Sequence, residues 1–301
     1  MTTDEQFMDT QQVAQYLGVH EKQVYTLIHD RGLPATKITG KWLFPGHLVD
    51  RWLESSVINM PETQPFLKAA GSLLLIAGSD DPLLVKLTAL FNKRFPDILV
   101  LQSRAGSRDG LMALKKGLVH IACVHLVDPL GGYATDHIRE YLGEDIAVVT
   151  FAERTQGVLL GPGNPQAVSR LSDAFGKNLR WAVREVGTGT RTLMDMEMDR
   201  LGVDPEPLLT RGIPVQSHLD AALAIHTGRG DAGFGIKAAA RLTGCDFLPI
   251  RQERFDLIVR KENFFLPQVQ DLLALLREEV FEEMADELTG YDLKESGKIR
   301  M

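Results

Sequence analysis

The sequence predicts a small helical module over residues 1–56 and an α/β domain of two lobes over residues 71–301. Two observations predict this arrangement. Apolar residues first recur at helical spacing, and from Gly71 onward short apolar runs alternate with stretches of helical periodicity. Such alternation is typical of a largely parallel sheet with helices on both faces. The segment 57–70 lacks periodicity and carries two prolines, which indicates a linker.

Composition and charge exclude several classes of protein. Hydrophobic residues make up 44% of the 301 residues and charged residues 24%, as in globular proteins. No run is long and apolar enough to span a bilayer, and the acidic start is unlike a signal peptide, so we expect a cytoplasmic protein with no membrane partner. Cys123 and Cys245 lack metal-ligand spacing, which favours free thiols. The net charge of −7 requires any DNA contact to be local.

Residues 7–54 follow the order helix, turn, helix, wing, helix. Thr10 can cap a first helix that Gly18 ends, and a second helix starts near His20 and ends at Gly32. The run KITGKWLF then suits a hairpin, and LVDRWL suits a last amphipathic helix. This order places the second helix where a recognition helix would enter a major groove.

The face of the second helix opposite its apolar stripe carries side chains that can reach base edges. Side chains in or near the wing are placed for contacts with the DNA backbone. A solvated helix face is the alternative, and residues 1–60, with seven acidic and five basic side chains, leave it open. The candidate DNA contacts are Lys22, Gln23, Tyr25, Thr26 and His29 on the helix, and Lys37, Lys41 and Trp42 in or near the wing.

The module resembles the winged helix-turn-helix of excisionase and MerR-like DNA-binding domains. The resemblance implies binding of double-stranded operator DNA, with a recombination-type adaptor as the alternative. The residues that carry it are the Thr10 start, Val13-Ala14, Tyr16-Leu17-Gly18-Val19, Val24-Tyr25, Gly32-Leu33-Pro34, Gly40-Lys41-Trp42 and the closing helix from Leu48 to Trp52.

In the α/β domain, three loops rich in glycine and hydroxyl residues follow apolar runs and precede helices. They contain Gly78-Ser79-Asp80-Asp81, Gly106-Ser107 and the run GTGTR from Gly187 to Arg191. Helix starts offer free N–H groups and a partial positive charge, so three of them converging on a cleft would hold a small anion. Each loop taken alone is better explained by helix capping. Asp80 and Asp81 would repel an anion, and Asp81 is expected to be an N-cap turned away from the cleft.

From Ala77 to about Arg260 the chain resembles a family of cytoplasmic domains related to periplasmic binding proteins. The matching stretches are GSDDPLL, AGSRDGLMAL, HLVDP, RTQGVLLGPGNP, REVGTGTRTLMD, GRGDAGFGIKAAA and DFLPIRQERFDLIV. The resemblance implies a type II two-lobed fold, with lobe one at about 71–155 and 258–301 and lobe two at about 156–257. It also implies a tetrahedral oxyanion ligand such as molybdate or tungstate. The ligand residues that it implies are Ser79, Ser107, His125, Thr188, Thr190 and Arg191, with Arg184 in support.

Together these features predict a one-component transcriptional regulator that binds operator DNA as a homo-oligomer and senses an oxyanion. No nucleophile paired with a base and no metal-ligand spacing is visible, so we expect neither an enzyme nor a catalytic cofactor. An accessory protein or enzyme of molybdenum-cofactor metabolism is the alternative from another class of function.

Overall fold

The chain separates into two compact units, Met1–Phe66 and Leu67–Met301. The computed structural model describes residues 7–37, 40–56, 72–125 and 135–300. Each unit has a hydrophobic core of its own. Within the described residues no helix is both long and apolar enough to cross a membrane.

The first unit has the predicted helix-turn-helix order. Its described elements are β1 (Phe7–Met8), α1 (Thr10–Leu17), α2 (Glu21–Arg31), β2 (Phe44–Pro45) and α3 (Gly46–Ser55), with β1 and β2 paired antiparallel.

Capping side chains and glycines set the ends of α1 and α2. The predicted cap Thr10 is wrong by one residue: the carboxylate of Asp9 accepts the Gln12 N–H at 2.8 Å. Gly18 and Gly32 follow the two helices with φ of 67° and 65°. Those left-handed values suit glycine, which has no Cβ, and they end both helices as predicted.

The predicted wing is described in part. Thr36 and Leu43 form an antiparallel bridge, in which each N–H donates to the other's carbonyl at 2.8 and 2.9 Å. Ile38 and Thr39, at the expected turn, lie outside the described residues. Trp42 is half-buried against the core of the module, and Lys37 Nζ lies 5.5 Å from the centre of its ring.

The second unit is built on one sheet of ten strands in which two long strands occupy the centre. The strand order is β4-β3-β5-β10-β6-β9-β7-β8, and β11 and β12 also pair with β6. The strands are β3 (Leu73–Gly78), β4 (Leu99–Ser103), β5 (Ile121–Val124), β6 (Ile146–Leu160), β7 (Trp181–Arg184), β8 (Ile213–Val215), β9 (Ala232–Ile236), β10 (Asp246–Arg260), β11 (Tyr291–Asp292) and β12 (Ile299–Arg300).

Helices connect these strands in the predicted alternation. The described helices of this unit are α4 (Pro82–Arg94), α5 (Gly106–Lys115), α6 (Thr135–Leu142), α7 (Leu171–Gly176), α8 (Gly189–Arg200), α9 (Glu206–Thr210), α10 (His218–His226), α11 (Lys237–Thr243), α12 (Lys261–Phe264), α13 (Pro267–Leu275) and α14 (Glu279–Leu288).

The sheet is mixed rather than largely parallel. Parallel pairing joins β3 to β4 and β5 on one side, and β7 to β8 and β9 on the other. Between these groups β10 runs antiparallel to both β5 and β6, and β6 runs antiparallel to β9. Because β6 and β10 each cross from one parallel group to the other, they form the connection between two lobes. The lobe boundaries themselves stay predictions.

The C-terminal segment from Pro267 to Leu288 forms two helices rather than one. Helix α13 ends at Leu275, and Glu278, with extended φ and ψ of −93° and 146°, precedes α14. The break lets Leu272 and Leu275 of α13 and Phe281 of α14 all reach the same core.

Candidate functional site

Two serine hydroxyls meet where β3 and β5 end. A Cβ at Gly78, whose φ is 135°, would lie 2.1 Å from the Cys123 carbonyl oxygen, so glycine permits the close approach of the two strands. Ser79 donates its backbone N–H to that oxygen at 2.8 Å, and its Oγ lies 2.9 Å from Ser107 Oγ. His125 in turn donates its backbone N–H to Ser107 Oγ at 3.2 Å. Three of the expected ligand residues therefore form one buried group.

The start of α8 lies directly against His125. A Cβ built on Gly189, the first residue of α8, would lie 2.4 Å from His125 Nε2 and 2.8 Å from its carbonyl oxygen. Thr190 is buried beside it, and Gln156 Nε2 lies 3.5 Å from Thr190 Oγ1. Gly189, the second glycine of the GTGTR run, thus allows the imidazole of His125 to pack against the backbone of α8. Thr190 lies in the same cleft.

Asp80 bridges the two sides of this cleft. Its Oδ1 lies 3.4 Å from Arg184 Nη2, and its Oδ2 accepts the backbone N–H of His218, the first residue of α10, at 3.2 Å. A helix start and a guanidinium are groups that bind anions. Asp80 therefore contacts two groups that an anionic ligand would also bind, which is the competition expected from the sequence.

A buried ion-pair cluster surrounds Arg154 of β6. Arg154 donates from Nε to Glu253 Oε1 at 2.7 Å and from Nη1 to Asp81 Oδ2 at 2.6 Å. Asp81 also accepts the Tyr291 hydroxyl at 3.0 Å and caps α4, which confirms its predicted N-cap role. Burial raises the pKa of Asp81 and of Glu253, and the charge of Arg154 acts in the opposite direction on both.

Buried polar atoms without a hydrogen-bond partner are concentrated around this cleft. Such atoms are costly to bury, so in folded proteins they are normally satisfied by a ligand, by water or by other protein groups. Among the described residues they comprise Arg154 Nη2, Arg184 Nε and Nη1, Gln156 Oε1, Glu253 Oε2, and both ring nitrogens of His125 and of His218. The cleft therefore offers both donors and acceptors to a small polar molecule.

The two histidines of the cleft are uncharged at neutral pH. Their ring centres lie 6.2 Å apart, and both side chains are buried. Burial lowers the pKa of His125 and of His218 well below the usual value, and the guanidinium of Arg154 lowers both further. A neutral imidazole donates from one nitrogen and accepts at the other, so each ring can serve either an oxygen or a hydroxyl of a ligand.

Thr188 and Arg191 are directed differently from the other expected ligand residues. Thr188 Oγ1 accepts the Arg191 N–H at 3.3 Å and donates to the Glu185 carbonyl at 2.9 Å, so it serves as the N-cap of α8. Arg191 Nε donates to Asp195 Oδ1 at 2.8 Å within the same helix. Both side chains stabilise the helix start in this structure, while the backbone of that start faces His125.

Four residues of the cleft were not among the sequence-based candidates: Arg154, Gln156, His218 and Glu253. Arg154 and Glu253 lie in polar stretches of the sequence, AERTQ and RQER, where nothing distinguishes them from exposed charges, and the spacing does not pair them. His218 follows the Ser217 N-cap of α10, where its sequence context suggests only a helix start. The pairing register of β6 and β10 brings Arg154 opposite Glu253.

The candidate DNA contacts of the first unit are mostly exposed. Lys22, Tyr25, Thr26 and His29 are exposed on α2, while Val24 on the opposite face is fully buried. Gln23 is exposed too, but its Oε1 accepts the His20 N–H at 3.0 Å as part of the capping of α2. The exposed wing candidates are Lys37 and Lys41.

Among the described residues, no group of three or more His, Cys, Asp or Glu side chains is arranged to hold a metal ion.

Comparison with protein families gives two matches. The PBP superfamily domain matches residues 88–277, and a helix-turn-helix domain matches residues 7–56. Among curated proteins, the uncharacterized protein YvgK of Bacillus subtilis (strain 168) is 28% identical over 301 residues, which cover 96% of each chain. An uncharacterized protein in the ferredoxin 2Fe-2S gene 5' region of Clostridium pasteurianum is 32% identical over 108 residues, 36% of this chain and 96% of that protein.

Solved structures share the two-lobed fold. A putative phosphate ABC transporter substrate-binding protein from Clostridium perfringens, with bound phosphate, has a TM-score of 0.55 at 14% identity over 72% of this chain and 97% of that chain. PhnD1 from Prochlorococcus marinus, in complex with methylphosphonate, has a TM-score of 0.50 at 13% identity over 76% and 95%. OxyR from Corynebacterium glutamicum has a TM-score of 0.52 at 14% identity over 93% and 90%. The second unit therefore has a periplasmic-binding-protein-like fold.

Proposed function

Because this chain belongs to the PBP superfamily domain family and carries a helix-turn-helix domain, we propose that it is a transcriptional regulator that binds operator DNA and responds to a small oxyanion. The observation that carries this proposal is the set of buried donors without partners between the two lobes, above all on Arg154 and Arg184. An oxyanion entering such a cleft loses its water, and these donors would replace the lost hydrogen bonds.

The family resemblance and the similar structures favour different oxyanions as the ligand. The family resemblance favours molybdate or tungstate, whereas two similar structures hold phosphate and methylphosphonate. All four are tetrahedral or nearly so, and the hydroxyls of Ser79 and Ser107 together with the backbone at Gly189 suit any of them. The protein's role in this proposal is binding, with no catalytic step.

We propose that the ligand acts by closing the lobes about β6 and β10, and that a homo-oligomer of the chain then binds two operator half-sites with altered affinity. The ligand can shift this equilibrium only by the difference between its affinities for the open and closed states. A function on chromosomal DNA would place the protein in the cytoplasm.

The DNA-binding part of the proposal is tested on the exposed face of α2. We expect Lys22→Ala and Thr26→Ala each to reduce discrimination for operator DNA by roughly 1–3 kcal/mol, because they remove contacts with base edges. Lys41→Ala should weaken binding to all DNA sequences. It should also reduce the slope of the logarithm of the binding constant against the logarithm of salt concentration by about one. Binding is measured by mobility shift at several salt concentrations, with DNA fragments from the neighbourhood of the gene.

Lys93→Ala provides the matched control, because it removes an exposed lysine from α4 in the other unit. Circular dichroism checks that each variant is folded. If all four variants bind DNA like the unmodified protein, the α2 face is not the DNA-binding surface.

The ligand-binding part is tested by thermal unfolding with oxyanions. A ligand present at about 100 times its dissociation constant stabilises the folded state by about 2.7 kcal/mol, which raises Tm measurably. We expect at least one of molybdate, tungstate, phosphate and methylphosphonate to do so. Ser107→Ala should reduce the shift, since it removes a hydroxyl from the cleft and leaves the His125 N–H without its partner.

Ser169→Ala is the control for this variant, because that hydroxyl bonds to Asp173 on the surface. Absence of any Tm shift and of any heat in calorimetry, for all four oxyanions with ligand-free protein, would contradict the proposed ligand class.

A further inference from the structure

Four leucines lie side by side on one face of the sheet in the second unit. Strands β3 and β4 are parallel, with Leu73 opposite Leu99 and Leu75 opposite Leu101. The side chains that alternate with these leucines point to the opposite face and belong to the main core. The four leucines therefore share the face that is turned away from that core, and we call them the leucine block.

The leucine block is partly exposed, although helices cover most of the sheet. Leu99 is 53% exposed and Leu101 is 49% exposed. Helix α5 lies on the same face, but it packs against β5 and β3. Leu118, which is 61% exposed, lies near the β3 side of the block, because His120 donates its N–H to the Leu75 carbonyl oxygen at 2.9 Å. Apolar side chains that are exposed together, rather than singly, mark an interaction surface.

The edge of β4 is closed to a further strand at its centre. Among the described strands, β4 is the outermost on its side of the sheet, and such edges can accept another chain. The N–H of Val100, however, already donates to Asn92 Oδ1 of α4 at 3.0 Å. A partner is therefore expected to pack on the face that carries the leucine block rather than to extend the sheet.

Opposite charges lie at the two ends of β4. Asp97 precedes the strand and Arg104 follows it, both are exposed, and neither forms an ion pair with another residue that the structure describes. A second copy packed with its β4 antiparallel to the first would place its Arg104 at the Asp97 end. A parallel arrangement would bring like charges together, which is unfavourable. Because each contact of a two-fold dimer occurs twice, the antiparallel arrangement matches both the leucines and the charges.

We propose that the leucine block is the interface of a two-fold dimer, in which it packs against the same block of a second copy with the two β4 strands antiparallel. This inference rests on the proposed homo-oligomer and assigns the surface that forms it. Strand β3 is the first strand after the segment that joins the two units, so the chain of each copy enters its second unit at the interface. A dimer formed there suits a regulator that binds two half-sites.

The test measures the dissociation constant of the dimer by sedimentation equilibrium on the full chain. We expect Leu99→Lys to raise this constant at least about 100-fold, because the added charge would be buried among the leucines of the second copy. Leu223→Lys is the matched control. Leu223 is 42% exposed on α10, which packs on β7, β8 and β9, so its substitution should leave the constant unchanged. Thermal unfolding checks that both variants are folded.

An exchange of charges tests the antiparallel alignment. Asp97→Lys and Arg104→Glu should each raise the dissociation constant at least about tenfold, because each variant dimer contains two pairs of like charges. An equimolar mixture of the two variants should form mixed dimers about as tightly as the unmodified protein, since every pair then has opposite charges. The double variant should dimerise equally well for the same reason. Both positions are exposed, so these variants keep the inference testable if Leu99→Lys does not fold.

The outcomes separate this inference from the proposed function. A dimer that is unchanged in Leu99→Lys and in both charge variants would overturn the inference and leave the regulator with another interface. A chain that is monomeric at every concentration would overturn it as well, and a lower Tm of Leu99→Lys in that case would show that the chain's own residues cover the block. Neither experiment uses DNA or an oxyanion, so failure of the proposed operator or ligand binding is detected separately.

Discussion

Replacing Arg154 with methionine is expected to lower the free energy of unfolding by about 3–5 kcal/mol at neutral pH. Methionine fills much of the arginine's volume, but it leaves Asp81 and Glu253 buried without their positive partner. Removing one member of a buried ion pair costs far more than the net contribution of the pair, because the remaining charges are desolvated. Urea unfolding followed by circular dichroism measures the change.

The pH dependence of this loss identifies its cause. Without Arg154 the pKa values of Asp81 and Glu253 rise further above those in the unfolded chain. A carboxyl group with a raised folded pKa costs nothing below its unfolded pKa, and it destabilises the fold as the pH rises toward the folded value. The destabilisation by Arg154→Met should therefore be smaller at about pH 5 than at about pH 8.

Two further variants serve as controls for Arg154→Met. Arg180→Met breaks the more exposed ion pair with Asp231 and should cost at most about 1 kcal/mol. Adding Asp81→Asn and Glu253→Gln to Arg154→Met removes the unpaired charges and should restore part of the stability. A loss that is the same at both pH values and is not relieved in the triple variant would mean that packing, and not charge, dominates at this position.

Gly189→Ala is expected to weaken oxyanion binding by about 10–100-fold, with little loss of folding stability. The added Cβ would lie 2.4 Å from His125 Nε2 and 2.8 Å from the His125 carbonyl oxygen. Overpacking of this kind costs about 1–3 kcal/mol, and the protein can avoid it by keeping α8 and β5 apart. The affinity for the oxyanion then falls in proportion to the decrease in the fraction of protein that is closed.

Calorimetric titration with the best-bound oxyanion measures this effect, and thermal unfolding without ligand measures stability. Gly176→Ala is the control, since a Cβ at that exposed glycine meets no atom within 4 Å. Alanine is at least as favourable as glycine in a helix, so the ligand-free Gly189→Ala protein should unfold at a similar temperature. Unchanged oxyanion affinity would show that the contact between Gly189 and His125 is not part of the ligand-bound state.

Local features of the chain were predictable because neighbours in sequence determine them. Glycine at positions 18 and 32 ends two helices through a conformation that other residues disfavour, and the hydrophobic periodicity predicts the helix-turn-helix order. The serines at 79 and 107 were candidates because the family resemblance implies them as ligand residues. They also lie in loops that precede helices, and parallel strands bring such loops to one edge of a sheet.

Long-range pairing decided the remaining features of the cleft. Arg154 lies 73 residues from Asp81 and 99 residues from Glu253, and only the antiparallel register of β6 and β10 and the end of β3 bring these charges together. The same holds for the contact between Asp80 and His218, 138 residues apart. Periodicity and capping motifs encode where elements begin and end. Which buried charges meet depends on strand order and register, and those follow from the packing of the whole sheet.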